Sequence, residues 1–321
     1  MRRRLLSILL RLAITLGGLA YVLAHIAWQA VWNALSRAAW PWLAAGCLLV
    51  TASLVLRTFR WQTLLRGLGV EVGFGRLVRL YFIGNFFNSF LPSGFGGDVV
   101  RAVGAWQNMP PDIAAGTVIV DRLSGLMMLF SMALAMLPFR PAAMADRLAL
   151  TLLLLGGGGL LGGALLWRGI WLQRAVAYLA GLPIPGLGAL LRRTVQPLLR
   201  AVQSCGGAAV RRAMGVSLVF NLMLTAWWWC VGQALGLSVS YVYYLLVVPL
   251  LSLALLAPSI SGLGVRESLA PLLFMGAGIS AENAIALSLL EFVLLRVVSL
   301  FGAPVYLLER QAQAAGDQSA E

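Results

Sequence analysis

The chain has 321 residues, 60% of them hydrophobic and only 11% charged, with a net charge of +13. A soluble domain of this size needs far more polar surface to face water, so the composition excludes one. The positive charge comes entirely from 24 arginines, which sit at the ends of apolar segments rather than in one basic domain. That pattern is membrane topology and excludes a nucleic-acid partner.

Taken in chain order, Arg2, Arg3, Arg4 and Arg11 precede an apolar run predicted to span the bilayer from about Leu12 to Trp32. It is too long for a signal peptide and no small-residue cleavage site stands out, so it reads as a retained helix. His25, the one histidine, falls inside it and reads as a packed or interfacial residue. A second span is predicted from about Ala38 to Leu56, followed by Arg57, Arg60, Arg66, Arg76 and Arg79. The region 80–106 cannot be one helix, because Leu80–Leu91 runs into Pro92-Ser93-Gly94-Phe95-Gly96-Gly97-Asp98 before Val99–Trp106 resumes. Third and fourth spans follow at about Ile113–Leu137 and Leu148–Trp167.

The segment 168–212 holds seven arginines and no acid, with Pro183, Pro185 and Pro197 as breakers. Parts of it read as amphipathic helix on the anionic cytoplasmic leaflet. A fifth span is predicted at about Met214–Leu235. The region 242–277 is broken again, at Pro258-Ser259-Ile260-Ser261-Gly262-Leu263-Gly264. The sixth span runs from about Ala284 to Leu308, and residues 311–321 are expected to be disordered. Trp40, Trp42, Trp167, Trp171 and Trp227–Trp229 read as interfacial belts. Gly156–Gly159 with Gly162 and Gly163 read as a close-packing helix face.

Seventeen arginines fall to one side of this arrangement, and Arg37, Arg140 and Arg147 to the other. The excess of positive charge on cytoplasmic loops then places both termini in the cytoplasm. Arg101, Arg122, Arg266 and Arg296 remain in apolar surroundings.

The two broken regions match. Pro92-Ser93 with Gly96 recurs as Pro258-Ser259 with Gly262, and Arg101 and Arg266 follow at nearly equal offsets. Trp61 and Gly69 upstream of the first recur as Trp228 and Gly236 upstream of the second. The expected fold is therefore all-α and polytopic, with about six transmembrane helices plus two re-entrant broken-helix hairpins in an inverted repeat. Residues 1–147 form the first repeat and 148–310 the second. Such broken segments mark binding sites in transporters, because irregular backbone at bilayer depth survives only where protein or water satisfies it.

The chemistry follows from the residue types. Pro92 breaks a helix, Gly94, Gly96 and Gly97 permit close backbone approach, and Ser93 or Ser259 caps the half-helix that follows. Free N–H groups at such a helix start favour an anion, and an arginine grips two oxygens of it. Charged side chains at bilayer depth cost roughly 2.5–3.5 kcal/mol each, so Asp98, Asp121, Arg122, Glu267, Glu291 and Arg296 must pair or face water. For Asp121 and Glu291 a purely structural ion pair and a functional role stand equally. The candidate binding set is Pro92, Ser93, Gly94, Gly96, Gly97, Asp98, Arg101, Asp121, Arg122, Pro258, Ser259, Gly262, Gly264, Arg266, Glu267, Glu291 and Arg296. Cys47, Cys205 and Cys230 are scattered, with no metal spacing. No hydrolase, zinc-protease or kinase motif is present, so neither enzyme activity, metal nor cofactor is expected.

At Leu91–Arg101, Asp121-Arg122-Leu123-Ser124-Gly125 and Pro258–Glu267 the chain resembles the membrane domain of lysylphosphatidylglycerol synthases, over about residues 5–310. Stand-alone bacterial and archaeal members are called flippase-like membrane proteins. In full-length synthases this domain precedes a soluble aminoacyl-transferase domain, and it is held to translocate the modified lipid. The present sequence stops soon after its last span, so the resemblance implies the translocase part and not aminoacylation. The expected function is flippase-like translocation of an anionic phospholipid or lipid-linked head group across the bacterial inner membrane. The alternative is a non-transporting membrane scaffold for a lipid-modifying or glycosyl-transferring enzyme. Besides the anionic lipid, a membrane-enzyme partner or a homo-oligomer is left open.

Overall fold

The computed structural model describes residues 28–90, 96–142, 144–181, 188, 191–253 and 263–318, and these are helical with no strand among them. The elements are α1 (Trp28–Ser36), α2 (Trp40–Gly67), α3 (Phe74–Phe90), α4 (Gly96–Ala105), α5 (Pro111–Met136), α6 (Asp146–Arg168), α7 (Ile170–Ala180), α8 (Gln196–Ser204), α9 (Gly207–Ala234), α10 (Tyr241–Leu253), α11 (Val265–Phe274), α12 (Ala281–Ser299) and α13 (Gly302–Gln318). Among the described residues, five helices are long and apolar enough to cross a membrane: α2, α5, α6, α9 and the α12–α13 run. Leucines along α6, among them Leu150, Leu154, Leu161 and Leu165, are exposed, which a lipid solvent tolerates and water does not.

Local chemistry sets the ends. Pro41 sits in the first turn of α2 and Pro111 opens α5, where a missing N–H costs nothing. α2 and α9 end alike. Gly69 (φ 72°) and Gly236 (φ 70°) take the left-handed conformation. The next residue then donates back, Val70 N to Leu65 O at 3.0 Å and Leu237 N to Gly232 O at 2.9 Å. The repeated glycines are thus matched helix stops.

α2 and α9 pack along their lengths in opposite directions. Ala39 N donates to Ala234 O at 2.8 Å at one end. Gly46 leaves room for the Trp227 ring, and Gly67 lies against Ala209 at the other end. The short arms pair as well. α3 and α4 run antiparallel, with Gly84 against Gly97 and Leu80 against Gly104. α10 and α11 do the same, Tyr243 donating its hydroxyl to Leu273 O at 2.7 Å. The unit long helix, two short antiparallel arms, long helix therefore occurs twice, as α2–α5 and α9–α12.

Several expectations change. The second span does not end near Leu56; no breaker follows, and α2 carries Arg57 and Arg60 inward to Gly67. The sixth span is interrupted at Leu300–Phe301. Residues 311–318, expected to be disordered, continue α13, in keeping with their alanines and glutamines. α13 is held on α3 by the Arg76–Glu309 ion pair and by Tyr306 against Phe87. In the segment 168–212, α8 turns Leu199, Ala201 and Val202 into the protein rather than toward lipid. α7 leaves Trp171 and Tyr178 exposed. Trp227 and Trp228 belong to the core and not to a belt. Gly156, Gly159 and Gly163 do pack closely on α5, against Phe130 and Met127. The predicted first span up to residue 27, including His25, lies outside the described residues.

Candidate functional site

Each repeat builds the same three-part cluster. In the first, α4 supplies Arg101, α5 supplies Asp121 and α2 supplies Trp61. Arg101 Nη1 lies 3.0 Å from Asp121 Oδ2, and its guanidinium stacks over the Trp61 ring at 4.7 Å. In the second, α11 supplies Arg266, α12 supplies Glu291 and α9 supplies Trp228. Arg266 Nη1 lies 2.6 Å from Glu291 Oε2, and the guanidinium sits 5.4 Å from the Trp228 ring. Arginine, carboxylate and aromatic face thus recur on equivalent elements, so the repeat extends to the buried charges.

The first cluster is larger. Arg60 Nε donates to Asp121 Oδ1 at 2.7 Å and Arg60 Nη1 to Ser217 Oγ at 3.0 Å, which ties α2 to α5 and α9. The Tyr81 hydroxyl donates to Asp121 Oδ2. Arg122 pairs with Asp98. Gly125 is needed here: a methyl on it would lie 2.7 Å from Arg60 Nη1. Arg57 has a different setting. Its guanidinium lies between the rings of Tyr81 at 5.3 Å and Phe220 at 5.2 Å, with no carboxylate within ion-pair range among the described residues. In the second cluster, Arg296 lies on the Phe292 ring and donates from Nη1 to Phe292 O at 3.1 Å, again without a carboxylate in ion-pair range among the described residues.

Between the clusters lies a cavity of about 280 Å³, at the small end of ligand sites. Its charged lining is Arg57, Arg60, Arg122, Arg266, Arg296 and Glu291, drawn from both repeats. Asn85, Asn88, Asn221, Ser53, Ser89 and Ser252 add polar groups, and leucines with Val50, Gly125, Met223, Phe220, Trp227 and Trp228 make the rest.

Of the residues singled out from sequence, Arg122, Arg266, Glu291 and Arg296 line this cavity. Arg101, Asp98 and Gly97 line a small adjoining pocket with Arg57, Tyr81, Asn85 and Asn88. Asp121 sits behind both as the common acceptor for Arg60, Arg101 and Tyr81. Glu267 faces away from the cavity: it accepts from Gly264 N at 2.7 Å and from Ser288 Oγ at 3.0 Å. Gly264, at φ 82°, makes that cap possible. Gly97 N likewise donates to Asn88 Oδ1 at 2.8 Å. These two helix-start donors, expected to meet an anion, are satisfied by side chains, and Asp98 and Glu267 already complement the two helix dipoles. Gly96 is the first residue of α4. Pro92, Ser93, Gly94, Pro258, Ser259 and Gly262 lie outside the described residues.

Sequence reasoning missed Arg57, Arg60, Tyr81, Ser217 and the cavity asparagines. Arg57 and Arg60 followed an apolar run and were counted with cytoplasmic arginines. The available signal was the missing helix breaker between Leu56 and Gly67.

The family model for the lysylphosphatidylglycerol synthase transmembrane region matches residues 8–302. No curated protein matches the chain. With that match spanning nearly the whole sequence, on a helical fold with five membrane-length helices, the chain is a multi-pass membrane protein of the lysylphosphatidylglycerol synthase transmembrane-region family.

Proposed function

We propose that the protein translocates an anionic phospholipid or lipid-linked head group across the bacterial inner membrane by way of the cavity between its two repeats. One observation carries this reading: among the described residues, five guanidinium groups and a single carboxylate face one hollow, supplied by both halves of the chain. A cavity with that excess of positive charge inside an apolar bundle favours an anion, and its leucine and aromatic walls suit an amphiphile.

The short arms support re-entrant hairpins. Over their described residues α4 and α11 have 10 residues each, α10 has 13 and α3 has 17. At ~1.5 Å per residue these reach roughly 15–25 Å, short of the ~30 Å hydrocarbon layer. The antiparallel packing of α2 on α9, equivalent helices of the two units, is what an inverted repeat requires. In this reading the first hairpin enters from the cytoplasm and the second from outside, both termini are cytoplasmic, and rocking of one unit against the other exposes the cavity to each face in turn. The protein acts without covalent chemistry of its own.

The test is translocation of a head-group-labelled anionic phospholipid in proteoliposomes, followed by chemical quenching of the outer leaflet. The wild-type protein should exchange the lipid faster than protein-free vesicles, and Arg296→Gln should slow exchange about tenfold or more, as loss of one charge-assisted contact does. A wild-type rate equal to that of empty vesicles overturns translocation and favours a membrane scaffold.

A further inference from the structure

We infer that the cavity selects a head group carrying two negative charges, a phosphomonoester or diphosphate, over a singly charged phosphodiester. The inference rests on the reading above that the cavity takes an anionic head group, and it adds the charge that group must carry.

Among the five arginines of the cavity, three have a carboxylate in ion-pair range: Arg60 with Asp121, which Arg101 of the adjoining pocket shares, Arg122 with Asp98, and Arg266 with Glu291. Arg57 and Arg296 remain, one from each repeat, with no carboxylate in ion-pair range among the described residues. Both are held against aromatic rings, which fix a guanidinium in place without neutralising it. Among the described residues, Arg57 Nε, Arg266 Nε, Arg296 Nη2 and Asn85 Nδ2 on the cavity wall are buried donors without a hydrogen-bond partner. Buried unpaired charges and donors are costly, so a site that keeps them is shaped for a ligand that supplies the missing acceptors. One negative charge would leave one guanidinium uncompensated, whereas two satisfy both. Arginine stays charged throughout, so the selectivity must come from the ligand. A phosphomonoester provides it, carrying between one and a half and two charges near neutrality and three acceptor oxygens.

The experiment uses the full chain in zwitterionic phosphatidylcholine nanodiscs at about pH 8, above the second phosphate ionisation near roughly 6. Phosphatidic acid and phosphatidylglycerol with identical acyl chains are compared for binding by native mass spectrometry, with inorganic diphosphate as a soluble arm. The expected result is a preference of about tenfold or more for phosphatidic acid, reduced to near parity by Arg57→Gln or Arg296→Gln and retained by Arg57→Lys. The lysine variant also shows that the fold survives a change at this position. Diphosphate binding without phosphatidic acid binding keeps the charge rule and makes the ligand a soluble phosphate compound; phosphatidic acid binding alone makes it a lipid. Equal affinity for the two lipids, or a preference that survives both glutamine variants, overturns the inference while leaving an anion site. Failure of every anion to bind overturns the inference and the proposed function together.

Discussion

Replacing Asp121 with Asn should lower stability by about 3–5 kcal/mol, the usual penalty for stranding a buried charge. Asp121 is 1% exposed and serves Arg60 Nε at 2.7 Å, Arg101 Nη1 at 3.0 Å and the Tyr81 hydroxyl at once. Neutralising it leaves two guanidinium groups, each about 2% exposed, without their common counter-charge. An amide offers one acceptor oxygen where the carboxylate offered two, and its NH₂ faces cations. The expected readout is a Tm in detergent lowered on the order of 10 °C, with a shift toward aggregate in size-exclusion profiles. An unchanged Tm contradicts the pairing assigned to α2, α4 and α5.

The second large effect concerns the equivalent pair. Arg266→Gln and Glu291→Gln should each cost about 3–5 kcal/mol, because each leaves the other charge buried and unpaired. The double variant removes both charges and should cost less than the sum, by about 1–3 kcal/mol. Arg266 Nη1 stands 2.6 Å from Glu291 Oε2, whereas Glu267 Oε1 is 3.7 Å from Arg266 Nε and accepts from Ser288, its Oε2 accepting from Gly264 N. Glu267 is therefore the weaker partner and should not rescue the Glu291 variant. Additive costs in thermal unfolding would mean that the pair does not act as a unit.

The sequence made part of this legible. The matched spacing of Trp61, Gly69 and Arg101 with Trp228, Gly236 and Arg266 corresponds to matched three-dimensional roles: a ring beneath a guanidinium, a left-handed helix stop and a short-arm cation. Those roles are local, or reach the partner through one repeated unit, so spacing preserves them. Arg60 was not legible. Its partners, Asp121 and Ser217, lie 61 and 157 residues away, so the missing breaker after Leu56 extends the helix without showing what Arg60 meets. The same holds for Arg57, whose setting between Tyr81 and Phe220 comes from three separate helices. The side-chain acceptors of Gly97 N and Gly264 N were not legible for another reason. Asn88 and Glu267 fill that role, and side chains that close on their own hairpin leave no periodic trace.

The most direct test of a cavity exposed to each face in turn is accessibility at Ser252, a small residue on its wall. Cys47, Cys205 and Cys230 are replaced and Ser252→Cys is introduced. A membrane-impermeant maleimide is then applied separately to sealed vesicles of each orientation. Labelling of Ser252→Cys is expected from both faces, slowed by the anionic lipid. Labelling confined to one face would contradict it.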